Sequence, residues 1–312
     1  MLKYIFFRIL SLIPLLFVAS FLIFVLLRLN GTDPVAQYLL SANLPQTPEL
    51  VEEVTKDFGL DKPILEQYAL WLKKAVALDF GISYMTGREV RADFLYFLPN
   101  TLYLTLGGFL LIVLFSIPLG VLSATYKDKV PDIVIRFFCF LGVCIPNFWF
   151  AFILILIFCV YLGWLPAIGL ENIQSLILPS IAIALMSVCI NTRLIRSSML
   201  EVKKERHVVY AKLRHLSKRK IVFKHILYNA SLPIVTAFGM HIGELIGGAL
   251  IIESIFAIPG IGLYSIQGIA NHDYPIIQCF VVAMCLIFAL CNLAIDVLYF
   301  LLDPRIRKNL RE

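Results

Sequence analysis

The chain has 312 residues, of which 60% are hydrophobic and 15% charged, and its mean hydropathy is +0.87. A soluble domain of this size would expose far too much apolar surface, so the composition excludes that class and indicates a polytopic membrane protein. The net charge of +6 is small and unevenly placed; it reads as membrane topology, and no nucleic acid is expected as a partner.

Six apolar spans are predicted, at 9–29, 100–123, 133–161, 177–196, 230–252 and 276–301, each long enough for a bilayer core of ~30 Å. Lys3 and Arg8 precede the first, and its apolar run from Ile9 to Leu27 is followed at once by Arg28. A cleaved signal has a shorter core and a small-residue cleavage site, so 1–29 is read as an uncleaved first transmembrane helix. Residues 30–99 carry six Lys/Arg and ten Asp/Glu and read as a small helical insertion outside the membrane. There, Thr47 is placed to cap a short helix that has Pro48 at its first position and acids Glu49, Glu52 and Glu53 in its first turn. A second helix fits 63–77, with Tyr68, Trp71, Leu72 and Ala75 as its apolar stripe. The charges of this segment read most simply as a solvated face, with docking of an external binding protein as the sharper alternative. The third span carries Arg136 near its start and Pro146 inside it, which membrane helices tolerate where neighbours re-satisfy the freed carbonyls. All seven cysteines fall in apolar spans and are read as small packing residues, neither disulfides nor metal ligands.

Orientation follows from Lys and Arg. With the N-terminus inside, the cytoplasmic pieces are 1–8, 124–132, 197–229 and 302–312, while the short outer pieces 162–176 and 253–275 hold no Lys or Arg. Both termini are thus expected in the cytoplasm. From Ser197 to Tyr228 there are nine Lys/Arg and two acidic residues, with Val208, Ala211, Leu216 and Ile221 at helical spacing. An ordered amphipathic helix in a cytoplasmic loop is a surface for another protein, which suggests a membrane subunit driven by a cytoplasmic partner. The chain has no G-x-x-x-x-G-K-S/T phosphate loop, and no Ser/His/Asp or metal-protease constellation. No catalytic residue is assigned, and an enzyme is not expected.

Several stretches together resemble one family. They are FGLDKPILEQYALWL (58–72), LDFGISY (78–84), CIPNFWFAFIL (144–154), WLPAIG (164–169), RLIRSSML (193–200), HILYNASLP (225–233), IIESIFAIPGIG (251–262), NHDYPIIQ (271–278) and DPRIR (303–307). In this order, over nearly the whole chain, they resemble the integral-membrane permeases of bacterial peptide/nickel ABC importers. NLPQTPE (43–49) and GMHIGELIGG (239–248) narrow the likeness to the first of two nickel-import permeases. The resemblance implies an all-α, six-helix type I ABC importer permease fold with a core over 95–296, sited in the bacterial inner membrane. It implies a second homologous permease subunit, two cytoplasmic ATPase subunits that bind ATP and Mg, and an extracytoplasmic solute-binding protein. It places the coupling helix, which docks on the ATPase, in 197–229, with Glu205, His207, Val208, Ala211, Lys212, Leu213, His215 and Leu216 in it. The family usually has Gly where this chain has His215, and a left-handed turn there costs histidine more than glycine.

Ionisable residues inside a membrane are functional candidates. His241 and Glu244 in the fifth span, three apart, share a helix face, and imidazole with carboxylate suits Ni²⁺. They are read either as a transient metal or metal-chelate contact or as a structural contact to a neighbouring helix; tight coordination would not suit a path that the solute must leave. Asn191 and Glu253 are further candidates for the path, Glu253 alternatively as a helix cap. Gly239, Gly243, Gly247 and Gly248 either let helices approach closely or line a conduit. Arg193 and Arg196 read as interfacial anchors. His272 and Asp273 are read as a docking contact, and Asp296 as pairing with a neighbouring helix through Arg136. The function expected is import of nickel as a small chelate, against an oligopeptide or dipeptide permease of the same family, or a secondary transporter, which inverted repeats would support.

Overall fold

The computed structural model describes residues 2–29, 33–42, 44–57 and 59–302, with the backbone alone at 2–9, 41, 296 and 298–302. The basic residues Arg305, Arg307, Lys308 and Arg311 of the tail, and the side chains of Lys3, Arg8 and Asp296, lie outside what is described.

The described residues are all-α. Helix α1 is Leu2–Leu29, α2 Pro34–Ser41, α3 Pro48–Asp57, α4 Ile64–Val76 and α5 Val90–Thr125. Next come α6 Val130–Cys144, α7 Asn147–Leu154 with a π-helical continuation Ile155–Tyr161, and α8 Ile177–Val202. Then follow α9 Arg206–Leu213, α10 Lys218–Lys220 with its π-helical continuation Ile221–Leu227, α11 Ser231–Ile255, α12 Ile261–Ala270 and α13 Tyr274–Leu302. Among the described residues five helices are long and apolar enough to cross a membrane, and a sixth span is made if α6 and the α7 segment are counted as one.

That third span is not the continuous helix expected. Its two halves meet at 103°. Pro146 supplies no N–H to the ladder and forces its predecessor out of the helical region. Ile145 is accordingly extended, at φ −87° and ψ 121°. Helix α5 also departs from expectation, because it does not begin after Pro99. It runs through that proline from Val90, 36 residues in all, or about 54 Å at 1.5 Å per residue. The added turns are held by tertiary burial: Val90 and Phe94 are buried against Ile261 and Tyr264 of α12 and Ile276 and Cys279 of α13.

The chain divides into two compact units. One comprises residues 2–101 with 257–289. In it, Tyr68 of α4 stands edge-on to Phe17, Phe21 and Phe24 of α1, with ring centroids 5.7, 5.1 and 5.3 Å away. Each such pair contributes about 0.5–1.5 kcal/mol beyond area burial. Its hydroxyl meets Ser20 Oγ at 2.9 Å, so the phenol enters an apolar seam without losing a hydrogen bond. Thr47 caps α3 as expected, its Oγ1 accepting from the Leu50 amide at 3.4 Å. Helix α2 was not anticipated; Asp33 caps it by accepting from the Val35 amide at 2.9 Å, with Pro34 at its first position.

The other unit comprises 102–256 with 290–302. Helix α8 is its centre and packs on α6, α7 and α11. A Cβ at Gly120 of α5 would lie 2.6 Å from Ile195 Cβ of α8, so only glycine permits that approach.

Candidate functional site

Helix α11 carries an outward stripe at helical spacing: Met240, Glu244, Gly247 and Ile251 are exposed, while His241, Gly243, Leu245 and Ile246 are buried. The three-residue spacing brings His241 Nδ1 to 2.6 Å from Glu244 Oε2, with the imidazole 8% exposed and the carboxylate 56% exposed. A carboxylate at the centre of a span costs roughly 2.5–3.5 kcal/mol or more against lipid. A stripe that presents one suits protein or water, not acyl chains. The four glycines of this helix divide. Gly239 is a packing residue, since a Cβ there would meet Ile295 Cγ1 at 2.2 Å. At Gly247 and Gly248 a Cβ would meet nothing within 4 Å; beside the Glu244 stripe the surface is open. Among the described residues no three His, Cys, Asp or Glu are grouped to hold a metal, so the pair offers two donors and no cage.

Glu253 stands apart from this pair along α11, and Asn191 lies on a different helix. Glu253 is fully buried in the last turn of α11, nine residues or about 13 Å along the helix from Glu244. Helix α12 begins at Ile261, whose amide donates to Thr101 Oγ1 at 3.0 Å, with Gly260 in the N-cap position. Asn191 is buried in α8, its Nδ2 donating to Ser187 O at 2.8 Å. Among the described residues its Oδ1 has no hydrogen-bond partner, nor do Thr192 Oγ1 and Ser116 Oγ.

The charged loop forms α9, and the structure splits the residues assigned to it between two faces. Val208 and Ala211 are buried in a core with Ala124, Ile195, Met199, Ile221, Ile226, Ala230 and Ile234, and Leu216 packs against it. Glu205, His207, Lys212, Leu213 and His215 are exposed. His207 Nε2 lies 3.1 Å from His225 O and 3.4 Å from Asn229 Nδ2, which ties α9 to the segment leading into α11. The outward face also holds Val209 at 46% and Tyr210 at 65% exposure, which sequence reasoning missed. They sit between the inward-facing Val208 and Ala211, so helical alternation was the available signal.

The turn after α9 forms despite histidine. His215 has φ +53°, its amide donates to Lys212 O at 2.9 Å, and the Leu216 amide donates to Ala211 O at 3.3 Å. These two bonds, with an apolar residue following, make a Schellman motif.

A clamp that the sequence did not disclose anchors the neighbouring turn. Asp132, wholly buried at the start of α6, accepts from Arg196 Nε at 2.7 Å and Nη2 at 2.8 Å, from the Asp128 amide at 2.8 Å, and from Ser123 Oγ. Arg196 is therefore a structural partner and not merely an interfacial anchor. Arg136, expected near Asp296, has its Nε 3.6 Å from Asp132. The signal was a lone acid at the head of an apolar span, which must find a cation.

Asp273 is not the surface contact expected. It is fully buried, accepts from Ser83 Oγ at 2.7 Å and the Met85 amide at 3.0 Å, and caps α13 through the Ile276 amide at 3.3 Å. Burial pushes its carboxyl above the usual range, against those hydrogen bonds, which pull it down. The legible signal was an Asp before Tyr-Pro, an N-cap followed by a proline in the first turn.

Residues 116–308 match the model of the binding-protein-dependent transport system inner membrane component, and residues 1–105 match that of its N-terminal part. The metal-staphylopine import system permease protein CntB of Staphylococcus aureus is 36% identical over 312 residues, covering 100% of both chains. The glutathione transport system permease protein GsiC of Escherichia coli is 34% identical over 307 residues, 98% of this chain and 99% of the relative. A chain of the MetNI methionine ABC transporter, solved in inward-facing conformations, has a TM-score of 0.56 at 17% identity, covering 67% of this chain and 96% of that one.

Proposed function

We propose that this chain, which belongs to the family of binding-protein-dependent transport system inner membrane components, forms the path by which an ABC importer takes up nickel as a small chelate. It is a permease subunit of such an importer, a multi-pass inner-membrane protein with the type I ABC importer permease fold, and it works with ATPase and binding-protein subunits. The observation that carries the cargo reading is the His241–Glu244 pair on the outward stripe of α11. Similarity to a metal-staphylopine permease supports it. A chelate suits two loosely placed donors better than a bare divalent ion, whose dehydration they could not offset, and weak contact lets the cargo leave.

The partners are a second homologous permease, two ATPase subunits holding ATP and Mg, and an extracytoplasmic binding protein, with both termini of this chain in the cytoplasm. The α11 stripe faces the second permease across the path. Val209, Tyr210 and Leu213 of α9 meet the ATPase, while Val208, Ala211 and Leu216 root α9 in the permease. ATP-driven closure of the ATPases then moves α9, and with it the spans, as rigid bodies between inward-open and outward-open states.

Similarity to a glutathione permease favours a second reading, a peptide-type cargo. Both are tested by offering the complete complex, reconstituted in proteoliposomes, radioactive nickel alone, nickel with a small amino-acid chelator, and labelled glutathione. ATP-dependent uptake of chelated nickel is expected. Uptake of glutathione without nickel would assign the chain to the peptide-type cargo.

A further inference from the structure

The loop after α9 carries a cationic surface that fold stability does not explain. Lys218, Arg219 and Lys220 form the first turn of α10, where Ser217 caps the helix by accepting from the Lys220 amide at 3.4 Å. Cations at a helix N-terminus oppose the macrodipole, so helix formation does not favour them. The capped amides leave the side chains to set the chemistry. Through the following π-helical turn, Ile221 and Ile226 point into the core, while Lys224 and Phe223 stay outside, the ring 53% exposed. Ser217, Arg219, Lys220, Phe223 and Lys224 line a cleft of about 370 Å³. Among the described residues none of its three cations has a carboxylate in salt-bridge range.

Lys224 is seven residues before Ser231, where the apolar span α11 begins. Tyr228, 74% exposed, lies between them. Lysine with exposed aromatic rings at the end of a span is the pattern of the headgroup layer. A juxtamembrane cluster of Lys and Arg draws anionic headgroups. The outward face of α9, by contrast, offers Val209, Tyr210 and Leu213. We propose that the cleft formed by Arg219, Lys220 and Lys224 beside Phe223 binds the phosphate of an anionic phospholipid headgroup, tethering the coupling loop to the membrane surface. This goes beyond the cargo reading and does not depend on it.

The test uses the complete complex in detergent, titrated with phosphatidylglycerol and, separately, phosphatidylcholine, with bound lipid read by native mass spectrometry. Each cation near an anionic surface contributes about fivefold in affinity. The Arg219→Gln/Lys220→Gln/Lys224→Gln variant is therefore expected to lose on the order of 100-fold in phosphatidylglycerol affinity. Arg219→Lys is expected to retain it, and phosphatidylcholine is expected to bind weakly to wild type and variant alike. Equal phosphatidylglycerol binding by wild type and the triple variant would overturn the proposal. So would displacement of the lipid by equimolar inorganic phosphate, which would make this a site for a free anion. Loss of the ATPase subunits from the triple variant in lipid-free detergent would also overturn it, by assigning the cluster to ATPase docking.

Discussion

Replacing His215 with glycine should tighten the turn that ends α9. The native residue holds φ +53°, a left-handed conformation that costs a side-chain-bearing residue roughly 1–2 kcal/mol. Glycine removes that cost and adds freedom to the unfolded loop, returning about 0.4–1 kcal/mol. The net gain is about 0.5–1 kcal/mol, or roughly 2- to 5-fold in the opening equilibrium at 1.36 kcal/mol per decade. The reporter is built in, because the Leu216 amide donates to Ala211 O only while the turn is closed. Hydrogen exchange of the peptide covering 205–217, measured by mass spectrometry on the assembled complex, is expected to slow by that factor in His215→Gly. His215→Ala, which keeps a Cβ at the same φ, should show no slowing. Equal rates for glycine and alanine, or faster exchange with glycine, would refute the claim that left-handed strain sits at this position.

Other consequences follow from the packing. Arg196→Gln leaves the fully buried Asp132 without its bidentate partner and should cost about 3–5 kcal/mol; thermal unfolding of the purified complex reads this, and Asp132→Asn/Arg196→Gln should recover part of the loss. Gly239→Ala forces a Cβ to 2.2 Å from Ile295 and should destabilise by about 1–3 kcal/mol, with rescue by Ile295→Ala, whereas Gly247→Ala, with nothing within 4 Å, should be near neutral in the same assay. Asp273 has its carboxyl pushed up by burial from 3.8. Its folded value thus lies above its unfolded one, so the stability it contributes is full below the unfolded pKa and is lost as pH rises through the folded pKa. Exchange in the segment that it holds through Ser83 and Met85, corrected for intrinsic rate, should be slower in mild acid than at neutral pH, and Asp273→Asn should remove that difference.

How much was legible depended on the range of the interaction that decides each feature. The approximate places of the spans, the capped α3 and the apolar stripe of α4 follow from periodicity and composition within a few turns. The bend at Pro146 was legible as a proline but not as a 103° break, because the angle depends on what packs against each half. The extension of α5 back to Val90 is held by α12 and α13, from more than 160 residues away in the chain. Asp132 and Arg196 are 64 residues apart, so no local pattern joins them. The contact between His241 and Glu244 was legible because their spacing places them on one face; that the carboxylate points out of the unit while the imidazole points in emerged only with the packing of α11. Within α9, a short helix with five apolar residues, sequence alone did not separate the rooted face from the outward one.

The central claim is that the outward stripe of α11 meets the cargo. ATP-dependent uptake of chelated radioactive nickel by proteoliposomes holding the complete complex tests it, with wild type set against Glu244→Gln and His241→Ala/Glu244→Ala. The account predicts that both variants assemble and hydrolyse ATP in response to the binding protein but take up nickel at a small fraction of the wild-type rate, Glu244→Gln retaining more than the double variant. Uptake at the wild-type rate by the double variant would contradict it and leave the pair as a structural contact.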